Sequence, residues 1–117
     1  MKYLRLYTAQ DGETHFEEME MTVSSIPGRS SSGHAWESGD AIFLSSDQGS
    51  GPELDQWHHA PDRQFVITLS GVTEIEASDG EVRRFGPGEI LMVEDTSGKG
   101  HRTRYKGVRT AVHIPLQ

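Results

Sequence analysis

Apolar and polar residues alternate along much of this chain with a period of two, the period that sends successive side chains to opposite faces of a strand. Lys2 to Thr8 sets Leu4 and Leu6 against Tyr3, Arg5 and Tyr7. Thr14 to Val23 sets Met19, Met21 and Val23 against Phe16, Glu18, Glu20 and Thr22. Shorter runs of the same kind cover Ala41 to Ser45, Gln64 to Ser70, Val72 to Ala77, Glu81 to Phe85, Glu89 to Val93, Arg102 to Tyr105 and Val108 to Pro115. No window sustains a helical period. Turn signals separate the runs: Ser78-Asp79-Gly80 favours positive φ, and Gly86-Pro87-Gly88 is a corner. Val72 to Ala77 reads either as a hairpin partner of the run before it or as its continuation. The pattern predicts about nine to ten strands and an all-β sandwich or barrel.

The 117 residues suit one domain spanning 1–117, long enough to bury a core without crosslinks. Two long polar stretches interrupt the strands, Ile26 to Asp40 with Trp36 embedded, and Ser46 to Gln56. In a small barrel such loops read either as covers of the mouth or as ordinary surface loops. The chain has no cysteine, so disulfides and thiolate metal sites are excluded. The first residues carry no apolar run like a signal peptide, and no stretch approaches the ~20 apolar residues of a membrane span. The expectation is a cytoplasmic protein with no membrane partner. A net charge of −7 argues against nucleic acid. Basic residues nevertheless gather in the last third: Arg83, Arg84, Lys99, Arg102, Arg104, Lys106 and Arg109. They read as exposed strand faces, or as a rim that attracts an anionic small molecule.

The stretch from Trp57 to Tyr105 holds the candidate chemistry. His58 and His59 precede the run that ends in Ser70-Gly71, and Gly98-Lys99-Gly100-His101 closes the segment. Ligands on one strand come at i and i+2, and further ligands come from a facing strand. This order resembles the paired motifs of the cupin superfamily. There the first motif runs His-x-His, then a Glu, then a Gly, and the second brings one more His. Anchored on Gly71, the resemblance puts Gln64 at the Glu position, His59 at the second His position and Trp57 where the first His would stand. In the second motif His101 takes the His position and Gly88 opens the strand. Two expected ligands are therefore altered.

The resemblance implies a double-stranded β-helix, a jelly-roll barrel of two antiparallel sheets. It implies a divalent metal (Fe, Mn, Ni or Zn) on His59, Gln64 and His101, with His58 as ligand or general base. A bulge before Pro61 would turn His58 inward in place of His59. His58, His59 and His101 are the candidate catalytic residues. Trp57 is expected as an apolar wall of the substrate site, with Arg102 and Arg104 attracting anionic groups. Glu94 or Asp95 is a candidate carboxylate ligand, and His15, His34 and His113 are further candidates. The implied function is a metal-dependent dioxygenase, isomerase or lyase acting on a small polar or anionic substrate. The alternatives are a metal-free module that binds a small molecule and a purely structural subunit. An open edge near the N-terminal strands suggests a homodimer, with Leu4 and Leu6 packed across it or in a plain core.

Overall fold

The computed structural model describes residues 1–46 and 55–117. Most of the second polar stretch, 47–54, lies outside the described residues. Among the described residues seven strands follow one another: β1 (Lys2–Thr8), β2 (Thr14–Glu20), β3 (Ile42–Ser46), β4 (Gln64–Ala77), β5 (Val82–Phe85), β6 (Ile90–Val93) and β7 (His101–Pro115). The all-β expectation holds. In place of two antiparallel sheets, the described strands form one open mixed sheet in the order β2-β1-β6-β4-β7-β3, with β5 added on β4. Its single parallel pair joins β1 to β6.

The strand count is lower than expected because two pairs of runs are each one strand. Gln64 to Ala77 is continuous, as is His101 to Pro115. Their shared ladder shifts register around Ser70, so pairing survives a bend there. Gly71 makes the bend possible. Its φ is 68°, and a Cβ would lie 2.7 Å from the Val108 carbonyl oxygen, where no other residue fits. The shift also changes which positions face inward. Before Gly71 the inner residues of β4 are even-numbered, Gln64 and Val66. After it they are odd-numbered, Thr73 and Ile75. Both halves of the bent sheet thereby turn one face toward the same interior.

That interior holds Leu6, Ala60, Val66, Ile75, Ala77, Phe85, Leu91 and Val93, with Leu4 and Phe16 packed against them. Leu6 thus lies in the core, and Leu4 packs against it partly buried. The loop 26–40 does not cover the mouth. Trp36 packs edge-on against Phe65, ring centroids 4.9 Å apart. Phe65 points away from the face shared by Gln64 and Val66, so the loop caps the outer side of the sheet. An apolar ring in a polar loop takes the nearest apolar surface, and here that surface is Phe65 with Tyr3.

Candidate functional site

The segment from Trp57 to Ala60 crosses the start of β7. The His58 N–H donates to the His101 carbonyl at 3.0 Å, and the His101 N–H donates back to His58 at 2.9 Å. Gly100 permits this approach: at φ 76°, any Cβ there would fall onto the His58 carbonyl. The 97–100 turn is held from the other side by the β1–β2 connection. Thr14 Oγ1 donates to the Gly100 carbonyl at 2.8 Å, and Thr8 Oγ1 donates to that of Ser97 at 2.8 Å. A glycine-rich turn is flexible alone; these bonds fix where His101 enters the sheet.

Both histidines then face each other, ring centroids 4.5 Å apart at 59°. His101 is 5% exposed, and its Nδ1 lies 2.5 Å from Oδ2 of the fully buried Asp95. Nδ1 of His58 lies 2.8 Å from the Gln56 carbonyl oxygen. A carbonyl and an ionised carboxylate only accept, so each Nδ1 carries the hydrogen and each neutral ring keeps its Nε2 lone pair free. Oδ1 of Asp95 has no hydrogen-bond partner among the described residues.

The two rings stand over a cavity of about 230 Å³. Val66, Ile75, Leu91 and Val93 give it apolar walls, and Gln64, Thr73, Thr103, Tyr105, Arg109 and His113 add polar groups. Arg109 is 1% exposed. Its Nε donates to Thr73 Oγ1 at 2.9 Å, and its guanidinium stands 4.1 Å above the Tyr105 ring. Burial pushes its pKa below the usual arginine range, against the opposing pull of Tyr105. Burial, and then the Arg109 charge, push His113 down to about 4.

Of the residues proposed from sequence, the structure brings His58, His101, Gln64 and His113 to this cavity and leaves His59 at its edge. It separates the rest. His59 sits at the rim, exposed, with Nε2 against the Gly98 carbonyl. The residue facing His101 is therefore His58, because the backbone bridge to His101 is made at position 58. Trp57 is 47% exposed and lies beside Arg102, 5.6 Å from its guanidinium, outside the cavity. Arg102 and Arg104 also point outward, to Asp55 at 3.3 and 2.9 Å. Alternation along β7 explains both: His101, Thr103 and Tyr105 face in, so 102 and 104 face out. Glu94 pairs with Arg5 and Arg63. His15 meets Asp79, and His34 meets the Thr22 carbonyl.

Three roles escaped the sequence reading. Asp95 was a candidate ligand, yet it supports His101 from beneath. Arg109 reads in the sequence as one of the clustered basic residues and as sharing a strand face with His113, without a ligand role. Tyr105 was not singled out. Counting in twos from His101, with Gly107 as a spacer, would have collected Tyr105, Arg109 and His113 on one face.

A metal needs three or four protein donors converging at about 2.0–2.2 Å. Among the described residues no three His, Asp or Glu side chains are so grouped. The cavity instead offers the facing imidazoles of His58 and His101, the His113 imidazole beside Arg109 and a neutral amide, with the nearest carboxylate already committed to His101. As they stand, these residues do not fit a resident divalent ion. What they can do is accept a proton at Nε2 of His101 while Asp95 fixes the tautomer and stabilises the imidazolium, an arrangement suited to general acid–base work. A scan against protein-family models and a search of curated proteins both return no match.

Proposed function

We propose that this chain is a small cupin-type protein that binds one small polar or anionic molecule in its cavity, directly on its own side chains. The observation that carries the reading is the facing pair of His58 and His101 over an apolar-walled cavity, with Asp95 buried behind His101. Concave apolar sites with a few convergent polar groups are where small ligands bind. The cupin resemblance, resting on the two histidine-bearing turns, agrees with this pairing. So does the bend shared by β4 and β7, which we take as the spine of a double-stranded β-helix. In this reading His101 exchanges a proton with the ligand, which suits isomerisation or lysis. A homodimer through β2 or β3, the strands that end the sheet path, belongs to the same proposal.

One observation favours a second reading. His58 and His101 are each oriented through Nδ1, as metal-ligating histidines are. Elemental analysis of protein purified without tag or chelator separates the two. The first reading expects no stoichiometric metal, and a thermal-shift screen of small metabolites whose hits are lost in His101→Gln. Stoichiometric iron, manganese, nickel or zinc that is lost in both His58→Ala and His101→Ala would overturn it in favour of a metal centre.

A further inference from the structure

Six of the seven basic residues gathered in the last third of the chain have acidic partners. Arg83 meets Glu81, Arg84 and Lys106 meet Glu74, Lys99 meets Glu13, and Arg102 and Arg104 meet Asp55. Arg109 differs. It is the most deeply buried of them, and its Nη1 is shut from solvent with no hydrogen-bond partner among the described residues. An uncompensated charge in a low-dielectric interior is costly, and such groups are normally paired. The described lining of the cavity contains no Asp or Glu. It does contain His113, whose Nε2 is likewise buried without a partner.

We propose that Arg109 is the anchor for a ligand carboxylate, so that the cavity takes a small organic acid whose other end reaches toward His58 and His101. This rests on the reading that the cavity binds a small molecule, and it names the chemical class. The planar guanidinium matches a carboxylate through paired N–H donors. Thr73 at Nε and Tyr105 beneath the plane hold that fork in place before the ligand arrives. Such support lowers the ordering cost of binding. At about 230 Å³ the space is smaller than the ~300–1,000 Å³ of sites for drug-sized ligands. Its apolar walls call for a short hydrocarbon body. His113 fits the same picture: the charge that helps to keep it neutral would be offset by an incoming anion, making it a second donor.

The test is calorimetric titration of the full chain with three acids, butyrate, 2-oxobutyrate and benzoate, each beside its neutral amide. The expectation is that at least one acid binds and its amide binds about tenfold or more weakly, the size of a charge-assisted hydrogen bond. Arg109→Met and Arg109→Lys should each weaken the acid by a similar factor and leave the amide unchanged, with circular dichroism confirming the fold of both. The lysine variant keeps the charge but not the fork, so it tests recognition even if the methionine variant misfolds. Acid and amide binding equally, with both lost in His101→Gln, would overturn the role of Arg109 while leaving the cavity reading intact. No binding by any acid or amide would overturn both.

Discussion

On the outer face of β7, Arg102 and Arg104 reach Asp55, Glu74 and Glu76 at 2.9 to 3.9 Å. On the inner face of the same strand, Arg109 meets a threonine hydroxyl and a tyrosine ring. Residue type and strand are shared, and alternation alone decides the surroundings. The outer arginines are about one-third exposed, and their carboxylate partners run from the half-exposed Asp55 to the buried Glu74, which Arg84 and Lys106 also meet. The inner one is held by neutral groups beside two histidines whose acceptors are open. A charged side chain says little about function until the face it occupies is known. Among the described residues, the inner side holds the buried Asp95 Oδ1, Arg109 Nη1 and His113 Nε2 without hydrogen-bond partners.

The largest effect is expected beneath His101. Asp95 is fully buried, and among the described residues its carboxylate has one hydrogen-bond partner, the His101 imidazole at 2.5 Å. Asp95→Ala leaves that imidazole donor unsatisfied in the interior, at a cost of about 3 kcal/mol in unfolding free energy. Urea denaturation reads it directly. A midpoint equal to that of the wild type would mean that the pair contributes nothing to the fold and that the inner face is no more sensitive than the outer.

A smaller effect follows from His113. In the unfolded chain its imidazole takes up a proton below its ordinary 6.5, but in the folded protein only near 4. The folded pKa is the depressed one, so between these values the unfolded state binds more protons. Stability therefore falls as the pH drops from about 6.5 toward 4, and rises again with pH across that window. The cause is burial first and the neighbouring Arg109 second. His113→Gln should flatten the pH profile there relative to the wild type. Carboxylates titrating nearby are common to both proteins and cancel in the difference. Parallel profiles would show that His113 reaches water freely, and that the inner face is wetter than its burial indicates.

The period-two pattern was enough to read the strands, their alternation and the all-β class, because each buried face writes itself into the sequence. The bend at Gly71 was harder to see. A positive φ and a register shift leave only a glycine behind, and Ser70-Gly71 reads equally as a hairpin turn. The continuity of β4 across it, and so the change from even to odd inner positions, depended on pairing with β7. The site was half legible for the same reason. His101 and Gln64, singled out by the motif resemblance, both line the cavity. Choosing His58 over His59 required the bridge to His101, which Gly100 admits and which no local pattern encodes. Arg102 and Arg104 were assigned to the substrate by charge, when their parity relative to His101 already put them on the other face.

The smallest effect, and the sharpest comparison, comes from making one substitution on both faces. Arg104→Met removes a side chain whose partners Asp55, Glu74 and Glu76 keep other cations nearby. Its cost should be about 0.5 kcal/mol in low salt and shrink in high salt, as for ion pairs whose cation reaches water. Arg109→Met replaces a buried cation that lacks an anion with an apolar chain of similar length. Without ligand it should raise stability by about 1 kcal/mol, independent of salt, because the desolvation cost of the charge is removed. The signs are opposite although the chemistry of the substitution is identical. Paired urea titrations at two salt concentrations measure both. If Arg109→Met destabilises more than Arg104→Met, the guanidinium is already satisfied in the free protein. The two faces of β7 would then differ in burial alone, and the argument that Arg109 awaits a carboxylate would lose its physical basis.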